Sequence, residues 1–170
     1  MRNNRPSRLL SLAVTALGAA GAMVMADFYA APAARADESF RPMQDKVALK
    51  ECSDCHIAFP PGLLPMRSWQ ALMAGLDNHF GENATLDEAT AKHITAYLVA
   101  NAADSGGGQK RVLRGLAEDA VPLRISDTPW WIRQHRGEVR PGAFEDPRVK
   151  SKSNCVACHS GAARGEFGDD

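Results

Sequence analysis

The sequence has no spare cysteine. All four fall in two short runs, Cys52-Ser53-Asp54-Cys55-His56 and Cys155-Val156-Ala157-Cys158-His159, so no thiol is left to staple the chain elsewhere. There is no charge excess either: 20 basic side chains stand against 20 acidic ones, and a nucleic-acid partner would ask for a basic surplus. No alternating strand–helix–strand pattern surrounds either cysteine pair, which argues against a thioredoxin-like redox site. The stretch from Cys55 to Cys155 is far longer than the ~15–20 residues that separate the pairs of a compact zinc site. Disulfides closed within each pair would leave His56 and His159 unexplained.

What the two runs do share is C-x-x-C-H, the attachment signature of a c-type haem. Two thiols three positions apart on one turn can each form a thioether with one haem vinyl group. The adjacent histidine, His56 or His159, then sets an imidazole against the iron from the proximal side. The motif occurs twice, each copy is followed at once by His, and together they use every cysteine in the chain. The expected cofactors are therefore two haem c groups, held covalently by Cys52, Cys55, Cys155 and Cys158.

The first 36 residues have the pattern of an export signal. Arg2, Arg5 and Arg8 make a positive start, Leu9 to Ala26 is apolar or small apart from Ser11 and Thr15, and Ala34-Arg35-Ala36 is a small-x-small cleavage site. The apolar run approaches the length of a membrane span. Its Ala and Gly content and the site that follows favour removal after Ala36, with no stable membrane insertion afterwards. Haem attachment at C-x-x-C-H takes place outside the cytoplasmic membrane, so the expected location in a bacterium is the periplasm. Residues 37–170 then carry 16 basic and 19 acidic side chains, a mildly acidic balance that suits a basic patch on a redox partner. Split in two, these 134 residues leave each half near the size where side chains alone make a marginal core. The haem is expected to fill that core, and the haem-free chain to fold poorly.

The expected fold is mainly α. Residues 37–51 read as a short helix leading into Cys52. Ile57 to Met66, with Pro60, Pro61, Gly62 and Pro65, cannot continue it and reads as a loop over one haem edge. Ser68 is positioned to cap a helix from Trp69 to Phe80, with Trp69, Leu72, Met73, Leu76, His79 and Phe80 at helical spacing and Gly81 as its stop. Thr85-Leu86-Asp87-Glu88 reads as a capping box opening a helix to Ala102 that packs through Leu86, Ile94, Tyr97 and Leu98. Residues 104–110 read as a Gly-rich linker, and 111–121 as a bridging helix stopped by Pro122. Thr128-Pro129 starts another helix, with Trp131, Ile132 and His135 on one face. The two Trp are assigned to packing against haem. Ser151 or Ser153 leads into a second attachment helix, and the tail after Gly165 is expected to fray.

A histidine on an apolar face is ordinarily a satisfied core residue. Beside a haem with an open sixth position it becomes a distal ligand. The candidates are His79 and His135. His79 follows His56 by 23 residues and His135 precedes His159 by 24, so the local pairs are His56/His79 and His159/His135, while crossed pairing between halves stays open. Met66 is the main rival ligand and Met73 reads as core. His93, beside Lys92 and off the packing stripe, reads as a surface residue.

The runs Glu51-Cys-Ser-Asp-Cys-His-Ile-Ala-Phe-Pro-Pro-Gly-Leu-Leu-Pro65, Ser68-Trp69, Leu76-Asp-Asn-His-Phe-Gly-Glu-Asn-Ala84, Arg133-Gln-His135 and Asn154-Cys-Val-Ala-Cys-His159 resemble the bacterial dihaem cytochrome c family over nearly all of the chain beyond residue 36. The resemblance implies a cytochrome c-like helical N-terminal haem domain at 37–103 and, after the 104–110 linker, a smaller, loop-rich helical C-terminal haem domain at 111–170. It implies periplasmic electron transfer through two bis-histidine haems with axial ligands His56, His79, His135 and His159. It also implies redox protein partners: a high-spin cytochrome c acceptor of the sphaeroides haem protein type and a membrane cytochrome b donor. Two side-chain ligands on each iron leave no position for substrate, which is the condition of an electron carrier rather than an enzyme. A peroxidase, a small-oxyanion reductase or a gas sensor would instead need one five-coordinate haem.

Overall fold

The computed structural model describes residues 39–168, so the export segment at 1–36 lies outside the described residues. Four α-helices, α1 (Lys46–Cys52), α2 (Met66–Ala74), α3 (Glu88–Ala100) and α4 (Pro129–His135), are joined by 3₁₀ turns and loops. Among the described residues β structure is limited to two isolated bridges, Ser39 with Glu166 and His79 with Glu82.

Each helix start has a local cause. Asp45 opens α1, its carboxylate accepting from the Val47 and Ala48 amides at 3.1 and 2.9 Å, the usual side-chain remedy for unpaired first-turn donors. Asp87 does the same for α3 through Thr90 N at 3.0 Å. Thr128 opens α4, with Pro129 as first helical residue and Trp131 N donating to Thr128 Oγ1 at 3.2 Å. α2 starts after Pro65 with no side-chain cap. Ser68 is therefore not its cap: it lies inside the helix, fully buried, and its Oγ has no hydrogen-bond partner.

Several expected boundaries move. α1 begins only at Lys46, because Phe40 is drawn into an extended contact with Gly165. The expected helix from Trp69 to Phe80 breaks at Gly75 and resumes as a 3₁₀ turn, Leu76–Asn78. The opening of α3 falls to Asp87 rather than Thr85, which leaves the capping box unused. The expected bridging helix over 111–121 shrinks to a 3₁₀ turn, Lys110–Leu113, since Gly115 takes φ +83°, a value a helix does not tolerate. Around the second motif only Cys155–Ala157 forms a 3₁₀ turn.

The core has two centres. Leu64, Trp69, Ile94 and Leu98 form the first, with Met43 and Ala48 from the α1 side and Met66, Leu72 and Met73 against it. Phe40, Leu63, Ala103, Val112, Trp130 and Trp131 form the second. Ile125 touches both. Inside the first, the Trp69 indole donates to the Pro61 carbonyl at 2.7 Å. Trp69→Phe keeps the ring volume roughly but strands that buried acceptor, and should cost about 1–3 kcal/mol; denaturant unfolding of the holoprotein measures it.

Through Gly168 the tail is held, not frayed. Phe40 N donates to Gly165 O at 2.7 Å, and Phe167 packs edge-on against Phe40 with centroids 5.6 Å apart. Gly165 takes φ +81°, and a Cβ there would run into the Phe40 carbonyl, so only glycine allows this approach.

Candidate haem sites

The first motif straddles the end of α1. Cys52 is its last residue, and Ser53 to His56 turn away from it, with Cys55 and His56 exposed. The second motif is a 3₁₀ turn ending at Cys158, with Cys155 half-buried and Cys158 exposed. None of the four cysteines is paired in a disulfide. Burial raises the Cys52 thiol above its ordinary pKa and pushes Cys155 up to about 11. Among the described residues no group of three or more His, Cys, Asp and Glu side chains is placed to hold a metal ion.

The structure brings together the histidines that spacing paired. The rings of His56 and His79 lie with centroids 6.1 Å apart, and those of His135 and His159 lie 6.2 Å apart. Two metal–nitrogen bonds of about 2 Å and two ring radii of about 1.1 Å would set centroids on either side of one iron roughly 6.2 Å apart. The separation of each local pair would accommodate one iron between the two rings.

Backbone carbonyls orient three of the rings. Since a carbonyl only accepts, each ring nitrogen facing one carries the proton: His56 Nδ1–H donates to Ile57 O at 2.7 Å, His135 Nδ1–H to Trp131 O at 2.8 Å and His159 Nδ1–H to Gly168 O at 3.2 Å. In a neutral ring that puts the proton on Nδ1 and leaves Nε2 as the lone-pair nitrogen, the tautomer a metal needs. His79 is placed differently. It is not on a helical stripe but on a tight turn, its backbone paired with Glu82, where Phe80 takes φ +59° and Gly81 φ +103°. Burial, and then the neighbouring His56, lower the His79 pKa, which favours the neutral, metal-binding form.

Aromatic rings flank all four imidazoles. Phe59 stacks on His56 at 4.9 Å, Phe80 meets His79 edge-on at 4.8 Å, Trp131 stacks on His135 at 3.9 Å, and Phe167 meets His159 at 5.9 Å. Trp131 and His135 share a face at i, i+4, but Ile132 does not belong to it and is exposed. Beside His79 opens a cavity of about 530 Å³ lined by Leu72, Phe80, Leu123 and Arg124, with the Arg124 guanidinium 4.0 Å above the Phe80 ring. Sequence reasoning missed Arg124, which carries no motif.

The rival ligands sit elsewhere. Met66 begins α2, donates its amide to Asp104 Oδ1 at 2.8 Å and packs on the first core centre. His93 is on the surface, its Nε2 2.9 Å from Asp45 Oδ2, and so tethers α3 to the cap of α1.

Two C-x-x-C-H turns, each facing a second imidazole on a scaffold that among the described residues is helical, define a c-type cytochrome with two haem-attachment sites. A profile of the dihaem cytochrome c family matches residues 48–167. Among solved structures, a dihaem cytochrome c from Rhodobacter sphaeroides is 56% identical, with TM-score 0.70, over 74% of this chain and 98% of that one. A second structure, of DHC purified from the same organism, is 52% identical with TM-score 0.64, over 74% of this chain and 99% of that one. A dihaem cytochrome type c from Shewanella baltica is 35% identical with TM-score 0.58, over 72% of this chain and 86% of that one. No curated protein sequence matches. The chain belongs to the dihaem cytochrome c family: it carries two c-type haems and transfers electrons between redox partners rather than catalysing a reaction.

Proposed function

We propose that this is an exported, periplasmic electron carrier whose two irons are each closed by two imidazoles, His56 with His79 and His159 with His135. The observation that carries this is the pair of imidazole separations, 6.1 and 6.2 Å. Both match one iron between two ring nitrogens. In support of export, the small-x-small site at Ala36 lies ahead of the family match, which begins at residue 48. The partners proposed are a high-spin cytochrome c acceptor and a membrane cytochrome b donor.

The chemistry supplied by the bound groups is reversible one-electron oxidation and reduction. The chain's own residues set its terms. Cys52 and Cys55, and Cys155 and Cys158, fasten the macrocycles. The carbonyls of Ile57, Trp131 and Gly168 accept from their imidazoles, making the facing nitrogens more basic and favouring the ferric state. Bis-imidazole coordination also lowers the potential relative to His/Met ligation. Arg124, at the cavity beside His79, can pair with a haem carboxylate. The half on either side of 104–110 holds one haem each.

The test is an optical spectrum of the ferrous holoprotein with carbon monoxide. The reading expects low-spin bands that the gas leaves unchanged; rapid uptake by the untreated protein would overturn it. A finer expectation concerns ring orientation. The His56 and His79 planes are 30° apart, whereas those of His135 and His159 are 84° apart. Near-parallel planes split the iron d-orbitals that crossed planes leave almost degenerate. The ferric protein should therefore show two separate low-spin electron paramagnetic resonance signals, one rhombic and one strongly anisotropic. A single signal from both irons would contradict the ring geometry.

A further inference from the structure

The mild acidity of residues 37–170 hides a polarity. Residues 37–104 hold five basic and ten acidic side chains, whereas residues 105–170 hold eleven basic and nine acidic. The contrast is sharpest at the two attachment turns. In the first, Lys50 is neutralised by Glu51 at 2.7 Å, and the exposed residues between the cysteines are Ser53 and Asp54. In the second, the residues between the cysteines are Val156 and Ala157, both exposed, Val156 at 45%. The loop leading to them presents Lys150 and Lys152, both exposed and, among the described residues, without an ion-pair partner.

That loop is built to hold its shape. The Asp146 carboxylate accepts from the Arg148 amide at 2.9 Å, from Arg148 Nη2 at 2.7 Å and from Arg140 Nη2 at 3.1 Å. Asn154 Nδ2 donates to Val149 O at 2.9 Å. Lys150 sits at φ +67°, a conformation uncommon for a residue with a side chain, and its amide is tied to Asp146 O at 3.0 Å. The Lys152 ammonium lies 5.8 Å from both the Trp131 and Phe144 rings, and Trp131 is the ring stacked on His135. An ordered cationic rim around a small exposed apolar patch, next to covalently held cofactor, matches the general plan of a transient docking surface. The apolar centre gives contact, and the charges give orientation and encounter rate.

We propose that the second attachment loop, from Arg148 to Cys158, is the docking face for a redox protein with an acidic rim, with Val156 and Ala157 at its centre and Lys150 and Lys152 as its steering charges. The first attachment turn, with Asp54 at its centre, refuses such a partner. The two haems are thereby addressed by partners of opposite sign. This rests on the two-haem electron-transfer reading, but its test needs no electron transfer and no particular iron ligation.

The test is a titration of ¹⁵N-labelled holoprotein with flavodoxin, a small acidic electron carrier, at low ionic strength, following backbone amide shifts. Shifts centred on residues 148–158 that vanish when added salt shortens the screening length to about 8 Å or less are expected. The Lys150→Glu/Lys152→Glu double variant should bind at least about tenfold more weakly. Lys150→Glu alone, which leaves Lys152 on its rings, should show a smaller loss in the same direction and guards against a folding defect in the double variant. Shifts centred on residues 50–56, shifts spread without a centre, or charge-reversed variants that bind as well as the parent would each overturn the proposal. A carbon monoxide result against bis-histidine ligation would leave this docking map standing.

Discussion

His79→Ala will yield a holoprotein in which one of the two haems takes up carbon monoxide while the other stays closed. The variant should keep its fold, because His79 stands on an exposed turn whose shape is set by Phe80, Gly81 and the backbone pairing with Glu82. The ferrous spectrum should split into a low-spin half and a half that responds to the gas, with uptake rising from none to one equivalent per chain. His79→Met should instead keep that iron low-spin and raise its potential, since thioether replaces imidazole. His135→Ala makes the same change at the other haem at a higher structural cost, because Trp131 loses the ring stacked on it at 3.9 Å. A His79→Ala spectrum indistinguishable from the parent would remove His79 from the ligand set and return Met66 to consideration.

The second large effect follows from Cys155→Ala/Cys158→Ala, which removes the anchor of the second haem. Among the described residues beyond 104 there is a single α-helix, of seven residues, and the other named elements are 3₁₀ turns. So short a helix has little stability of its own, and two of the chain's three tryptophans lie in the second core centre. Truncating one large aromatic side chain in a core costs about 3–5 kcal/mol. Losing a porphyrin is worse and should exceed about 5 kcal/mol, which approaches the whole stability of a small domain. The expected outcome is one haem per chain by mass, loss of most near-ultraviolet tryptophan dichroism, and survival of the α2–α3 packing around the first haem. Native-like dichroism from the variant, or from protein stripped of both haems, would show that side chains alone suffice.

How much of this was legible in the sequence depends on whether the signal was local. The attachment turns are covalent chemistry at fixed spacing, so six of the eight proposed haem-holding residues could be read directly. The opening of α4 was legible because Thr128 and Pro129 act within one turn. The placement of His79 on a helical stripe was wrong: Gly75 ends the helix, and a turn with positive φ at Phe80 and Gly81 sets the ring beside His56. Periodicity carries no account of where a chain bends back toward a cofactor. The tail was misjudged because its order comes from Phe40, far away in sequence, and composition near Gly165 reports only local freedom. Arg124 left no trace at all, since nothing around it departs from an ordinary loop.

The contact between Phe40 and Gly165 has a bearing on assembly. It joins positions 125 residues apart in sequence, while His56 and His79 need only a short segment between them. Under the proposed export, the first motif leaves the cytoplasm ahead of the second. Until Gly165 follows, Phe40 has neither that carbonyl for its amide nor Phe167 for its ring. The second site therefore closes last, and a ligation enzyme would meet the two motifs in states of different maturity.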